Sequence, residues 1–480
     1  MKYKHALFLN PYIESTSTSI MGLFPPTGLE YVATSVKGFV DRISLVDLRH
    51  EKDLCDIHRL LNFIHREKID IICVSITWNR QFKEICGFLN MMPNGIPLVV
   101  GGYKATEQVE ELFLLCPNIH IIVRGEGEET MKEILKEMPL ENILGISYRK
   151  NGVVVHNGNR PLVDINSISA PDRSLRSNEY YLALNGVNVT NSTWDAVLTA
   201  RGCPFNCKFC TFSLNPLGQK RKYSARSPES VVKELEAITA NIVLFSDDNF
   251  CANPDRAGKI CDLIIMRKIK KRFIAQTRID IAKYPELLEK MVKAGFKILL
   301  LGIESPHDWI LAQLDKGFNS KTIRKAFSVL KKYPIYYHGY FIYGNIGETE
   351  GEMLCISKFA KEIGVDSITF QKLRIDKFSP LRKLVEETPG YYITDTGGLY
   401  SDTYSRDVLK KIGKRIKYSF YSPITLLKIS RKFIIVRLFS FRDMMSILIR
   451  MPLLIKGVIV REMHKKRLGD SLRRIFISNK

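Results

Sequence analysis

Segments of strand length alternate with segments of helical length through most of this chain. In the first 150 residues the strand-like segments are short and apolar, and stretches of helical length such as 82–92 and 105–115 lie between them. Strands that alternate with helices predict a parallel, doubly wound sheet, in which ligands bind at the carboxyl ends of the strands. The five predicted strands are 5–10, 44–48, 69–75, 97–101 and 120–124.

A second alternation of strands and helices follows a loop-rich segment that contains Pro161, Pro171 and Gly186. Six strand and helix units of this kind predict a partial (β/α)6 barrel, with catalytic groups at the carboxyl ends of the strands. The predicted strands are 194–200, 242–246, 273–277, 298–302, 336–342 and 367–371. We therefore expect one domain at 1–150, a linker at 151–190, a second domain at 191–400 and a C-terminal region at 401–480.

Three cysteines occur within eight residues, just after the first predicted barrel strand. Cys203, Cys207 and Cys210 have the spacing C-x3-C-x2-C. Thiolates are soft ligands that suit iron–sulfur clusters, and three of them leave one iron of a [4Fe–4S] cluster open to an outside ligand. A tetrahedral zinc site needs a fourth ligand, and the next cysteine is the distant Cys251. The spacing favours an iron–sulfur site, with zinc or structural thiols as the alternatives.

Polar or glycine residues follow most of the predicted barrel strands. A strand end with two adjacent carboxylates, Asp247 and Asp248, is a costly place for charge unless the charge binds something. The alternative for Asp248 and Asn249 is N-capping of the next helix, because short polar side chains cap helices well. The residues at these strand ends are Asp247, Asp248, Asn249, Arg278, Asp280, Glu304, Gly344 and Gly347.

Glycines follow two strands of the first predicted sheet. Gly101 and Gly102 end the fourth strand, and Arg124-Gly-Glu-Gly127 follows the fifth. Glycine lets a ligand approach the backbone closely, whereas the alternative is that these residues only make turns.

At its cysteine loop the chain resembles the radical S-adenosylmethionine (SAM) enzymes, whose C-x3-C-x2-C signature has an aromatic residue before the last cysteine, here Phe209. The resemblance covers about residues 1–400. The front of the chain is similar to the cobalamin-binding domain that precedes the radical SAM core in the cobalamin-dependent radical SAM family. The motifs that carry this second likeness are Pro25-Pro26-x-Gly28-Leu29, Val99-Val-Gly-Gly102 and Arg124-Gly-Glu-Gly127.

The resemblance implies three cofactors: a [4Fe–4S] cluster on the three cysteines, SAM and cobalamin. It implies that Phe209, Asp247 and Asp248 lie near the adenine and methionine parts of SAM. Arg278 and Glu304 would contact the methionine carboxylate or the ribose. The backbone at Gly344 and Gly347 would meet the adenine, and Gly101, Gly102, Gly125, Glu126 and Gly127 would lie at the cobalamin site.

The chain departs from the cobalamin-binding pattern in one respect. The loop after the first strand, 10–19, lacks the D-x-H-x-x-G motif whose histidine ligates cobalt in classical cobalamin-binding domains. Asp56-Ile-His58 comes later and has no glycine, so His58 is expected to be a surface helix residue. Cobalamin is therefore expected to bind base-off, without a histidine lower ligand.

The net charge of +22 is concentrated at the end of the chain, where residues 404–480 hold 20 Lys/Arg and 4 Asp/Glu. Residues 418–460 are apolar but interrupted by cations, and no uncharged stretch approaches the roughly 20 residues that span a membrane. This basic, mainly helical region is typical of an interfacial helix on an anionic membrane, with a structural cap and a nucleic-acid-binding tail as alternatives. No secretory signal is present, so we expect a cytoplasmic location or peripheral attachment at the inner face of the membrane.

The resemblance implies an enzyme that methylates an unactivated carbon through methylcobalamin, after cleaving SAM to a 5′-deoxyadenosyl radical. The alternatives are non-methylating radical oxidation, cyclisation or rearrangement, for example of a tetrapyrrole, and RNA-directed modification. The expected partners are a small-molecule or lipid substrate and an electron donor such as a flavodoxin or ferredoxin. Cys251 and Cys355 are expected to be buried thiols without a catalytic role.

Overall fold

The computed structural model describes residues 3–13, 24–77, 81–184, 187–210 and 214–453. The chain divides into two compact units. The first consists of residues 1–161, 168–195 and 439–480, and the second of residues 162–167 and 196–438. The segment expected to be a linker, 151–190, contains the strands Val153–His156 and Tyr180–Leu184 and the start of the strand Val187–Val197.

The first unit is built around a seven-stranded sheet. Its strands are β1 (His5–Asn10), β2 (Arg42–Asp47), β3 (Ile71–Ser75), β4 (Leu98–Gly101), β5 (Ile121–Val123), β6 (Ile146–Lys150) and β7 (Val153–His156). Its helices are α1 (Thr27–Ser35), α2 (Ile57–Arg66), α3 (Phe82–Leu89), α4 (Tyr103–Glu107), α5 (Val109–Leu115) and α6 (Glu128–Leu135). The strand order is β2-β1-β3-β4-β5-β6-β7, with β6 and β7 antiparallel.

The predicted doubly wound sheet is confirmed, and its residues explain why it forms. β1 pairs in parallel with both β2 and β3, so the strand order reverses beside β1, where such sheets bind ligands. Successive residues of β1 enter two different cores: Leu7 and Leu9 pack in one, and Ala6 and Phe8 in the other. A strand covered on both faces must be apolar throughout, which is why the sequence shows continuous runs and no alternation.

The remaining strands are β8 (Tyr180–Leu184), β9 (Val187–Val197), β10 (Ala200–Arg201), β11 (Ser224–Ala225), β12 (Ile242–Phe245), β13 (Arg272–Arg278), β14 (Phe296–Glu304), β15 (Tyr336–Tyr343), β16 (Ser367–Lys372), β17 (Tyr391–Ile393) and β18 (Leu399–Ser401). The remaining helices are α7 (Pro228–Ala237), α8 (Pro254–Met266), α9 (Pro285–Ala294), α10 (Asp308–Gln313), α11 (Ser320–Leu330), α12 (Glu350–Ile363), α13 (Leu381–Glu387), α14 (Arg406–Phe420) and α15 (Pro423–Val436). Residues 441–453 are also helical.

The second large sheet has the order β16-β15-β14-β13-β12-β9-β8, and β12 to β16 are parallel. This arrangement confirms the predicted partial barrel of strand and helix units. One face of the sheet packs with the helices in a large core that includes Phe273, Leu301 and Phe341. Parallel strands end at the same edge of the sheet, so the polar strand ends predicted from the sequence gather there.

Helix α14 closes part of this core from the outside. Its buried residues recur at helical spacing and include Leu409, Ile412, Ile416 and Phe420, which belong to the same core. One portion of the basic C-terminal region is therefore a structural cap. Within the part of the chain that the structure describes, no helix is both long enough and apolar enough to cross a bilayer.

A buried ion-pair network stabilises the first unit, and Arg176 is its centre. The Arg176 guanidinium donates to Glu30 and, at 2.9 Å, to Asp195, and both carboxylates are almost fully buried. Arg176→Met leaves two buried carboxylates short of a partner, so we expect the free energy of unfolding of this unit to fall by about 3–5 kcal/mol. Hydrogen exchange of the amides of β1 and β3 measures this free energy.

The matched control is Arg59→Met, because Arg59 pairs with Asp53 on the exposed surface of the same unit. Exposed pairs contribute about 0–1 kcal/mol, so this variant is expected to leave exchange nearly unchanged. Equal protection in the two variants would contradict a stabilising role for the Arg176 network.

Candidate functional site

The three cysteines lie in the loop between β10 and β11, at the carboxyl edge of the barrel sheet. All three are partly exposed. The middle of the loop is held at both backbone groups of Lys208, whose N–H donates to the Leu314 carbonyl at 3.0 Å. The Ser379 hydroxyl donates to the Lys208 carbonyl at 2.8 Å. The loop is therefore fixed to the rest of the barrel through its backbone.

The donor set fits an iron–sulfur cluster. Three soft thiols, Cys203, Cys207 and Cys210, lie on one short loop. Across residues 3–13, 24–77, 81–184, 187–210 and 214–453, no three His, Cys, Asp or Glu side chains converge on a position for a single metal ion. A [4Fe–4S] cluster does not require such convergence, because each cysteine binds a different iron.

Asp247 fixes the chain that leads into the cysteine loop. Its buried carboxylate accepts hydrogen bonds from the Thr199 N–H at 2.6 Å, from the Thr199 hydroxyl and from the Ala200 N–H at 3.0 Å. Burial raises the pKa of Asp247, and these donors oppose that shift. The carboxylate thus acts as a support for the loop backbone.

Asp248 holds the next part of the loop by accepting the Gly202 N–H at 2.9 Å. Gly202 has φ +78°, and a Cβ there would lie 2.7 Å from the Lys222 carbonyl, so only glycine fits this turn. The capping alternative for Asp248 and Asn249 is not what the structure shows. The side chain that caps α8 is Asn253, and Asn249 instead accepts the Thr277 hydroxyl.

We expect Asp248 to lower stability at neutral pH. Burial raises its pKa from 3.8 to about 6. The folded chain therefore retains a proton that the unfolded chain releases between about pH 4 and 6, and stability falls as the pH rises through this window. Above it, the ionised carboxylate costs on the order of 3 kcal/mol. Asp248→Asn keeps an oxygen acceptor for Gly202 and should melt higher than the parent protein at pH 8.

The difference in melting temperature between Asp248→Asn and the parent should shrink toward zero as the pH is lowered below 4. The matched control is Asp262→Asn on α8, whose carboxylate is half-exposed and paired with Lys290. A pH-independent difference for Asp248→Asn would contradict this account. Proteins tolerate such a cost mainly at functional positions.

Arg278, at the end of β13, contacts the cysteine loop directly. Its guanidinium donates to the Cys207 Sγ at 3.5 Å, to the Lys316 carbonyl at 2.5 Å and to Asp280 at 2.9 Å. It also lies 3.8 Å from the ring centroid of Phe205. These contacts on all sides fix the orientation of the side chain, so a cation is held against one of the thiols.

Glu304 forms a buried ion pair with Lys316, with the Nζ and Oε1 atoms 2.8 Å apart. Glu304 has φ +69°, an uncommon conformation for a residue with a side chain, and it lies at an irregularity in the pairing of β14 with β15. The Lys316 ammonium also lies 5.5 Å from the ring centroid of Phe209. Phe209 and Glu304 are therefore joined through one lysine.

Gly344 and Gly347 follow β15, and both have positive φ. The Cα of Gly344 faces the Leu409 side chain of α14, and that of Gly347 faces the ring of Trp309. The Gly347 N–H donates a hydrogen bond to the Tyr391 hydroxyl at 2.7 Å, so it is already engaged within the chain. Gly344 is thus buried against α14, whereas Gly347 is exposed beside Trp309.

The interior face of the barrel sheet carries polar side chains. His338 and Tyr340 alternate along β15 with the core residues Tyr337 and Phe341, so they lie on the face opposite the helices. Both ring nitrogens of His338 bond to hydroxyls of β16, and burial lowers its pKa to about 4, which keeps the ring neutral. The Tyr340 ring packs edge-on against it at 5.1 Å.

In the first unit, the predicted glycines lie at the carboxyl edge of the sheet. Gly102 has φ +100°, and a Cβ would come within 2.6 Å of the Ile76 carbonyl, so the close approach is to the chain's own backbone. Gly101 faces Val123, and Gly127 faces Val32. The Gly125 N–H bonds to the Thr106 hydroxyl at 2.9 Å, and Glu126 lies between these glycines, half-exposed.

Three further expectations concern residues outside the cysteine loop. His58 lies exposed on α2, as predicted. Cys251, expected to be buried, is partly buried against the barrel core, and burial raises the pKa of its thiol to about 12. The expectation for Cys355 is wrong: it is exposed, because it lies on the outward side of α12.

Comparisons with known proteins decide the family. The radical SAM superfamily model matches residues 197–360, and the B12-binding domain model matches residues 16–135. An uncharacterized methyltransferase of Pyrococcus horikoshii is 31% identical over 384 residues, which cover 77% of this chain and 80% of that protein. The chain belongs to the cobalamin-binding-domain radical SAM family. It is therefore an enzyme of this kind.

Two further members show the range of this radical SAM family. The anaerobic magnesium-protoporphyrin IX monomethyl ester cyclase of Cereibacter sphaeroides is 26% identical over 364 residues, 72% of this chain and 57% of that protein. The radical SAM methyltransferase TsrM of Kitasatospora setae, solved with cobalamin and a [4Fe–4S] cluster, superposes with a TM-score of 0.68. It is 16% identical, and the match covers 81% of this chain and 80% of TsrM.

Sequence reasoning missed two residues that contact the predicted site residues Arg278 and Glu304. Phe205 lies inside the cysteine motif, and its aromatic type was a local signal that could have found it. Lys316 contributes its ammonium to Glu304 and its carbonyl to Arg278. No local pattern marks Lys316, because its partners are distant in sequence and meet only in the folded barrel.

Proposed function

We propose that the protein is a cobalamin-dependent radical SAM enzyme that methylates an unactivated carbon of a small molecule. The observation that carries the proposal is the cysteine loop held against Arg278, in a chain that also has a B12-binding domain and 31% identity to a methyltransferase. When bound, the cluster, SAM and cobalamin supply the electron, the radical and the methyl group, and the protein positions them.

We assign the residues of the barrel accordingly. Cys203, Cys207 and Cys210 hold the cluster, and Arg278 supplies a positive charge and a donor beside it. The ion pair of Glu304 with Lys316 offers a carboxylate and an ammonium to the polar groups of SAM. Phe209 lies on the cysteine loop, and Asp248 bonds to the same loop at Gly202. We assign both residues to the SAM site. Asp247 is a positioning residue, because its acceptor atoms are already bonded to the loop backbone.

We assign the cobalamin site to the carboxyl edge of the first sheet, around Gly101, Gly102 and the segment Gly125–Gly127. In a parallel sheet this edge is where ligands bind, and the strand order reverses beside β1. The loop after β1 contains no histidine at residues 10–19. Cobalamin bound at this edge would therefore receive no histidine ligand from this loop.

The substrate contacts are proposed on the interior face of β13 and β15. Gln276 lies two residues before Arg278 on β13 and thus shares its strand face. Gln276, His338 and Tyr340 are partly exposed there and carry no charge at neutral pH. Gln276 and Tyr340 can donate or accept hydrogen bonds, whereas both ring nitrogens of His338 are already bonded to hydroxyls of β16. A neutral, mixed surface of this kind suits an apolar substrate with few polar groups, such as an isoprenoid, a lipid or a tetrapyrrole. An electron donor such as a flavodoxin or ferredoxin would reduce the cluster.

A second candidate function is radical cyclisation without methyl transfer. It is favoured by the 26% identity to the Cereibacter sphaeroides cyclase. The two candidates share the site and differ in the fate of the SAM methyl group.

Incubation of the reduced holoenzyme with methyl-deuterated SAM distinguishes these functions. Methylation predicts deuterated methylcobalamin on the enzyme and S-adenosylhomocysteine in solution, in addition to 5′-deoxyadenosine. Cyclisation predicts 5′-deoxyadenosine alone. Release of neither product from a protein with full cluster and cobalamin content would contradict both functions.

A further inference from the structure

The helices at the end of the described chain expose apolar side chains where a helix on a protein surface is normally polar. α15 is held to the second unit through one face only. On that face Phe433 stacks on Tyr336 with ring centroids 4.6 Å apart, Lys432 lies 3.9 Å from Asp366, and Val436 is buried. These contacts hold one face of α15 against the second unit.

The opposite face of α15 consists of large aliphatic side chains. Five of them are between 51% and 72% exposed, far above the usual burial of Leu and Ile. Lys428 and Arg431 lie among them and are exposed. The five apolar residues are Ile424, Leu426, Leu427, Ile434 and Ile435.

The helical segment 441–453 in the first unit repeats this arrangement. Asp443 anchors it by accepting the N–H groups of Asn191 and Ser192 at 2.9 and 2.8 Å. Its outward side chains are 40–73% exposed and are mostly aliphatic, with Arg442 beside them. They are Phe441, Met445, Leu448, Ile449, Met451 and Leu453.

The positive charge of this region indicates which partner binds these faces. Between residues 423 and 453 the sequence has six Lys/Arg and one acidic residue, Asp443, which is fully buried. A second copy of the same face would bring cation against cation. Single-stranded nucleic acid prefers aromatic stacking platforms, whereas these faces are almost entirely aliphatic. The surface that offers both negative charge and an apolar layer is an anionic phospholipid membrane.

We propose that the outward faces of α15 and of the helix at 441–453 each dock onto the surface of an anionic membrane. The aliphatic side chains enter the boundary between headgroups and acyl chains, and Lys428, Arg431 and Arg442 pair with lipid phosphates. This inference is independent of the proposed methyl transfer, because it concerns surface residues outside the barrel interior.

Flotation of the full-length holoenzyme tests the docking surface directly. The vesicles are phosphatidylcholine alone and phosphatidylcholine with phosphatidylglycerol. We expect co-flotation with the anionic vesicles, a several-fold weaker signal with the neutral ones, and a decline with added salt. Leu427→Ser/Ile434→Ser should weaken binding at least about tenfold, because large apolar side chains then no longer enter the bilayer. Lys428→Gln/Arg431→Gln should reduce binding to the anionic vesicles about tenfold.

The matched control is Leu114→Ser/Val153→Ser, which changes two apolar residues that are at least as exposed but lie elsewhere, on α5 and β7. It should bind like the parent protein, and unchanged melting curves exclude unfolding in every variant. Absence of co-flotation with either vesicle would overturn the proposal, as would equal loss in the control. A dimer in light scattering that Leu427→Ser/Ile434→Ser dissociates, without any vesicle binding, would assign the face to a second copy instead. None of these results affects the labelled-SAM experiment, so the two proposals fail separately.

Discussion

Replacing Cys207 by alanine is expected to reduce SAM cleavage to the level of a protein-free control. Cys207 is one of three thiols on a short, backbone-anchored loop, and in the proposed function the cluster on those thiols supplies the electron that cleaves SAM. Loss of one ligand removes the cofactor, so binding energy elsewhere cannot compensate. Iron and sulfide content after anaerobic reconstitution, together with 5′-deoxyadenosine yield, measures the effect.

Cys355→Ala provides the matched control for the Cys207 variant. Cys355 is exposed on α12, away from the loop, and its removal should leave both iron content and 5′-deoxyadenosine yield unchanged. Cys251→Ala removes a partly buried thiol with a high pKa and should behave in the same way. A Cys207→Ala protein with parental iron content and parental SAM cleavage would show that the loop is not the cluster site.

Arg278→Met is expected to lower SAM cleavage by about 10–100-fold while iron content stays at the parental level. The three cysteines remain, but the donor to Cys207 and its positive charge are lost. A hydrogen bond and a cation beside a cluster ligand stabilise the reduced, more negative cluster. Their loss in Arg278→Met should therefore make the midpoint potential of the cluster more negative. A potentiometric titration followed by electron paramagnetic resonance measures the potential without turnover.

Two variants make the Arg278 result specific. Arg278→Lys keeps the charge but not the planar set of donors that reaches Cys207, Asp280 and the Lys316 carbonyl together, so an intermediate potential is expected. Arg267→Met removes an exposed arginine paired with Glu236 and should change neither potential nor activity. An unchanged potential in Arg278→Met would reduce the role of Arg278 to packing against Phe205.

Much of the fold could be predicted from the sequence because the strands of buried parallel sheets appear in it as short apolar runs. Strands buried on both faces must be continuously apolar, and β1 and β3 show this plainly. Helix ends also depend on local residues: α9 begins at Pro285, a favoured first helical residue, and Gly295 follows its end. Local chemistry of this kind does not depend on distant contacts.

Elements that depend on partners far away in sequence could not be predicted in the same way. β6 and β7 continue the first sheet antiparallel, although the sequence suggested that the domain ended near residue 150. The first barrel strand, expected at 194–200, instead belongs to β9, which starts at Val187 and pairs antiparallel with β8. Strand pairing decides such boundaries, and the hydrophobic pattern of one segment contains no information about its neighbour.

In the candidate site, too, some residues were identifiable from local sequence and others only from contacts in the folded structure. The cysteines and the strand-end residues were found because position in the motif or at a strand end identified them. Their partners were not: Asp247 bonds to Thr199 and Ala200, far earlier in the chain, and Lys316 joins Glu304 to Arg278 from a loop after α10. Such contacts arise from the closure of the barrel, so only the folded structure identifies them.

The cobalamin content of the protein tests the central claim most directly. The chain would be purified anaerobically from cobalamin-supplied cells, and the optical spectrum of the extracted cofactor would give cobalamin per chain beside the iron content. We predict near-stoichiometric cobalamin together with an intact cluster. A protein with an intact cluster and no cobalamin would contradict cobalamin-dependent methylation and leave radical cyclisation or rearrangement as the function of the barrel.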